Sequence, residues 1–124
     1  MKNLEQLRAK HALDFVNSGD IPIGSEGGNI LSKLPTMLVA DGLLATAAFA
    51  KAKSGGYEKL MGDLFKHLAS INIVSGSSID EQIQSLASAD AIILQRASSE
   101  AIAYANYIKR FGKPKIKNGE SENA

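Results

Sequence analysis

The feature that most constrains this chain is a stripe in its last third. Ile93, Ala97, Ala101, Tyr104, Ile108 and Phe111 recur at steps of four, four, three, four and three. That is the repeat of an α-helix with one apolar face, and a strand, whose side chains alternate, cannot satisfy it. A helix of this length is long enough to be the spine of a bundle. Ser88 is placed to cap it and Asp90 suits its first turn, while Gly112 and Pro114 mark its end after Phe111.

The rest of the sequence agrees with an all-α fold. Seventeen alanines and thirteen leucines favour helix, and no stretch sustains a period of two. Tyr57, Leu60, Met61, Leu64, Leu68 and Ile71 define a second amphipathic helix, with Lys59, Asp63, Lys66 and His67 elsewhere on its wheel. Leu4 to Asn17 is a shorter helix whose expected buried positions are Leu7, Ala12, Leu13 and Val16. Ser18 to Gly28, rich in glycine and containing Pro22, is expected to be a flexible connection. An apolar helix from Asn29 to Asp41 then carries an interior Pro35, a residue that removes one backbone hydrogen bond and kinks a helix. Gly42 separates it from a helix over Leu43 to Lys53, and Gly55-Gly56 separates that from the next. Ser75 to Ser78 links to a short helix over Ile79 to Ala87. The expected fold is a single compact bundle of about six helices over residues 1–112, followed by a flexible, basic, polar tail over 113–124.

At 124 residues the chain has the size of one domain. The absence of cysteine removes disulfides, thiolate metal sites and a catalytic thiol. Met1 to Glu5 leads into a charged stretch rather than the apolar core of a secretory signal. The most apolar stretch, Thr36 to Ala50, is broken by Asp41 and Gly42 and falls short of the roughly 20 residues that span a bilayer. A cytoplasmic protein with no membrane partner is expected. The formal charge of +1 conceals an asymmetry. Residues 1–90 hold eight basic and ten acidic side chains, a net −2. Residues 91–119 hold Arg96, Lys109, Arg110, Lys113, Lys115 and Lys117 against Glu100 alone, a net +5. A phosphate-facing surface needs such a concentration of one sign.

Groups that do chemistry are sparse. Asp63 and His67 stand four apart, the spacing of two metal ligands on one helix, but no third ligand accompanies them; the alternative is a solvated face whose side chains pair. Neither a metal nor a cofactor is expected. The glycine-rich run Gly24 to Asn29 lacks the Gly-Lys-Ser/Thr of a nucleotide-binding loop and follows no strand. No nucleophile-elbow pattern occurs. The chain does not read as an enzyme.

Several short motifs, taken in order, resemble a known family. They are Arg8-Ala9, Lys33-Leu34-Pro35, Gly42-Leu43 with Phe49 seven residues beyond the glycine, Tyr57 at the start of the next helix, Glu100-Ala101, and Tyr107-Ile108-Lys109-Arg110-Phe111. This set is similar to the small subunit of the type III-B CRISPR effector, the RNA-guided, RNA-targeting Cmr complex. Gly112 departs from the pattern, which more often continues with alanine. The resemblance implies a non-catalytic helical bundle, present in several copies beside other Cmr subunits, that helps form the groove holding guide RNA and target RNA. Base pairing reads sequence in such an effector, so the protein's part is to meet phosphates with lysine and arginine. Arg8, Lys33, Lys51, Arg96, Lys109 and Arg110 are the candidates for that contact. Leu34, Pro35, Gly42, Leu43 and Phe49 are candidates for core or for a seam with neighbouring subunits, since Met37, Leu38, Val39 and Leu44 add more apolar surface than one helical face hides. The alternative is a helical protein–protein adaptor that touches no RNA.

Overall fold

The computed structural model describes residues 2–21 and 24–123, the side chains of 24–28 and 116–123 excepted. It contains six helices: α1 (Leu4–Asn17), α2 (Gly24–Asp41), α3 (Leu43–Lys53), α4 (Gly55–Ser70), α5 (Ile79–Ala87) and α6 (Ala91–Asn123). No strand occurs among the described residues.

Local chemistry accounts for the starts of the helices. Asn3 and Gln6 form a reciprocal capping box at α1: the Gln6 amide donates to Asn3 Oδ1 at 2.8 Å and the Asn3 amide to Gln6 Oε1 at 2.9 Å. Ser78 caps α5 by accepting from the Glu81 amide, and Asp80 and Glu81 sit in the first turn where the helix dipole favours them. Gly42, at φ +91°, separates α2 from α3. A side chain there would meet no neighbour, so its requirement is conformational.

The spine is α6, against which α2 and α1 pack most extensively; α3 joins α2 to α4 and α5. Ala97, Ala101, Tyr104 and Ile108 of the expected stripe are buried, with Ile93 and Phe111 at its margins. Against them lie Ile30, Leu31 and Leu34 from α2 and Leu60, Met61, Leu64, Phe65 and Leu68 from α4. Each such side chain contributes about 1.5–3 kcal/mol by leaving water.

Five expectations change. Gly55-Gly56, read as the break between α3 and α4, forms the first turn of α4, and Ser54 alone separates the two helices. The connection after α1 is shorter than Ser18–Gly28, because α2 begins at Gly24 rather than Asn29; Pro22 lies outside the described residues. Ser88 closes α5 instead of opening α6: its amide bonds back to Gln84, and the Asp90 carbonyl takes the first amides of α6. In α1, Leu13 is 43% exposed and Phe15 is buried in its place. Finally, α6 continues past Phe111 through Gly112 and Pro114, so the backbone of the segment read as a tail is helical to Asn123. Gly112 is a packing residue: a Cβ there would lie 2.6 Å from Ile21 Cδ1 and 2.9 Å from Leu31 Cδ1. Its missing side chain lets α6 approach α2 and the turn after α1. Pro114 lies inside α6, where it removes the bond that an N–H would have made to the Arg110 carbonyl and its ring crowds that carbonyl.

Candidate functional site

The polar residues of the chain divide into a buried network behind α6 and a basic surface along its outer side. The network begins at Glu100, which the apolar face of α6 carries inward until it is 5% exposed. Arg8 of α1 grips it with two parallel bonds, Nε to Oε2 at 2.8 Å and Nη2 to Oε1 at 2.7 Å. His67 of α4, 2% exposed, meets the same carboxylate from the other side, Nε2 to Oε2 at 2.8 Å. The second ring nitrogen of His67 lies 2.8 Å from His11 Nδ1. Four side chains thus tie α1, α4 and α6 together.

Aromatic rings extend the network. The His67 ring stacks on Tyr104 at 4.2 Å, nearly parallel, and the Tyr104 hydroxyl donates to Asp63. The Arg8 guanidinium lies 5.5 Å from the centre of the Tyr107 ring, whose hydroxyl donates to Glu5 at 2.6 Å. A cleft of about 410 Å³ opens beside this assembly, lined by His11, Asp14, Phe15, Asp63, Lys66 and Tyr104 among others.

Burial and pairing set the charges. Burial pushes the Glu100 carboxyl up, but the Arg8 guanidinium and His67 outweigh it and hold the carboxyl at about 2. Arg8 is correspondingly pushed up by its bonds to Glu100. Burial raises Asp63 against the opposing bond from Tyr104, and burial followed by the Asp63 carboxylate raises the Tyr104 hydroxyl. Burial and the neighbouring His67 lower His11, with Asp14 opposing.

Asp63 and His67 therefore do not lie on a solvated face. His67 points into the bundle and Asp63 is bound to Tyr104, and no group of three metal-ligating side chains occurs among the described residues. Nor does Arg96 pair with Glu100, whose carboxylate belongs to Arg8 and His67. The signal for this was in the sequence: Glu100 falls on the stripe between Ala97 and Tyr104, where a carboxylate needs a buried partner.

The candidate phosphate contacts fall into two groups. Arg8 is an internal ion pair, 18% exposed. Lys51 is exposed and bridges α3 to Asp80 of α5. Lys33, Arg96 and Arg110 are exposed and Lys109 half-buried, and none of the four has an ion pair among the described residues. Arg96 and Arg110 are two seven-residue steps apart, so they share one face of α6 about 21 Å apart. Lys109 and the exposed Lys113 and Lys115 continue the positive charge at that end; Lys115 donates to Asn17 at 2.8 Å. Lys33 stands apart on α2. Among the candidate seam residues, Leu34, Pro35 and Leu43 are buried, Gly42 is at the helix junction, and Phe49 is 41% exposed with its ring edge-on to Tyr57.

The described residues thus form a six-helix bundle with a buried polar network and exposed cations along α6. The chain belongs to the CRISPR-associated protein family Cas_Cmr5, whose model matches residues 4–114, and it is thereby a small subunit of the type III-B effector. Membership implies association with the other subunits of the Cmr complex. No curated protein and no solved structure matches the chain significantly. No helix of the described residues is long and apolar enough to cross a membrane.

Proposed function

We propose that this chain is a cytoplasmic, non-catalytic structural subunit of the Cmr complex that lines the groove holding the guide RNA–target RNA duplex. It takes its place beside other Cmr subunits and adjacent copies of itself, and meets phosphates without reading sequence. The observation that carries this reading is the outer side of α6. Arg96, Lys109 and Arg110 have no carboxylate partner among the described residues, and Glu100, the one acidic side chain between residues 91 and 119, is turned inward and neutralised by Arg8. Lys33 and, once it exchanges its surface bond to Asp80, Lys51 add to the set; Arg8 does not belong to it. Unpaired cations of this kind displace condensed counterions from RNA, which makes binding salt-dependent.

The test is crosslinking in the reconstituted effector loaded with guide and target RNA. Peptides containing Arg96 or Lys109–Arg110 are expected to carry crosslinked nucleotides. Crosslinks to protein alone would favour the adaptor reading instead. That second reading draws on the exposed apolar residues Val39, Phe49 and Ile92, 69%, 41% and 70% exposed, which suit contacts between subunits.

A further inference from the structure

We propose that the His11–His67 pair is an acid-sensitive latch that holds the C-terminal half of α1 against α4. This inference is independent of any contact with RNA and rests on the count of hydrogens in the network. Glu100, ionised, only accepts, so His67 Nε2 carries a hydrogen toward it across 2.8 Å. The two Nδ1 atoms, also 2.8 Å apart, share one hydrogen: one ring donates and the other accepts. A first added proton keeps this bond, since His11 can take it at Nε2 while its Nδ1–H still donates to His67. It nevertheless puts a positive charge on a ring whose burial and neighbours Lys10 and Lys66 disfavour one, and so weakens the hold of α1 on α4. A second added proton cannot be accommodated. It puts two N–H groups face to face, adds a second positive charge, and turns an attraction between α1 and α4 into a repulsion.

The surroundings sharpen the response. Arg8, Lys10 and Asp14 approach from α1, Lys66 and Asp63 from α4, Glu100 and Tyr104 from α6, and Asp20 from the turn after α1. Burial, His67, Lys10 and Lys66 all disfavour a charge on His11, against Asp14 alone. The folded chain therefore holds fewer protons at His11 than the unfolded chain does. This contribution to stability is present above the ordinary value of 6.5 and is lost as the pH falls below it toward the lower folded value. Glu100 stays ionised down to about 2, so the Arg8–Glu100 pair remains closed throughout that range. Opening is accordingly confined to the part of α1 that faces the cleft.

Amide hydrogen exchange on the intact chain, corrected for the intrinsic pH dependence, tests this. Protection over Ala12–Asn17 is expected to fall about tenfold on going from neutral to mildly acidic pH, while protection in α2 and α3 holds. His11→Gln supplies a donor to His67 that cannot become charged, and its α1 protection is expected to stay flat over the same range. An equal fall in His11→Gln, or no fall in the natural chain, overturns the latch. Should His11→Gln be unstable at neutral pH, ¹⁵N shifts of the two imidazoles in the natural chain decide. Two coupled steps support the pair, and two independent titrations contradict it.

Discussion

Two arginines on the same side of the charge balance have opposite fates here. Arg8 is drawn into the bundle, bound twice by Glu100 and covered by Tyr107, whereas Arg96 remains exposed on the outer side of α6 without an ion pair among the described residues. The difference lies in what stands opposite. Glu100, on the apolar face of α6, needs a buried cation, and α1 delivers Arg8 to it; Arg96 lines the same cleft, but the carboxylate there is already taken by Arg8 and His67. Charge used to close the fold is unavailable to a ligand. On the proposed reading, the basic residues to test against phosphates are those without an ion pair among the described residues.

The largest effect belongs to the inner side. Glu100→Ala leaves Arg8 and His67 without their shared partner, and chemical denaturation is expected to show a loss of about 3–5 kcal/mol. A loss below about 1 kcal/mol would place Glu100 among ordinary surface carboxylates. The same network gives a pH signature. Glu100 is held at about 2 against an ordinary 4.5, so its contribution is complete above 4.5 and is lost as pH falls from there toward 2. In Glu100→Gln that part of the acid dependence should flatten.

On the outer side the pattern reverses. Joint replacement of Lys109 and Arg110 by glutamate should change stability by less than about 1 kcal/mol, because neither has an ion pair among the described residues. The reconstituted effector carrying it should bind target RNA more weakly, with the weakening greatest at low salt. Lys51→Gln is the smallest expected change: it breaks an exposed pair with Asp80 that is worth about 0.2–1 kcal/mol. A larger loss of stability there would mean that α3 and α5 depend on this bond.

Much of the fold was legible in the chain because helical periodicity is a local property. The bounds of α1, α3 and α5 follow from capping residues and glycines, and the α6 stripe places Tyr104 and Ile108 in the core. What escaped was set by neighbours distant in sequence. Gly112 reads as a helix stop, but Ile21 and Leu31 make it a point of close approach. His67 reads as part of a solvated helix face beside Asp63, but Glu100, 33 residues away, turns it inward. Arg8 reads as one of six equivalent cations, and its partner lies 92 residues along the chain. The family motifs identified the assembly; only the folded chain separates Arg8 and Lys51, which are paired, from the four candidates that have no ion pair among the described residues.

The most direct test of that separation is the salt dependence of target-RNA binding by the reconstituted effector. Arg96→Gln, Lys109→Gln and Arg110→Gln combined should make the slope of log affinity against log salt shallower by about 1 for each phosphate contact removed in each copy. Arg8→Gln should lower the stability of the subunit and leave the slope unchanged. An unchanged slope in the triple variant, or an equal change from Arg8→Gln, would contradict the account.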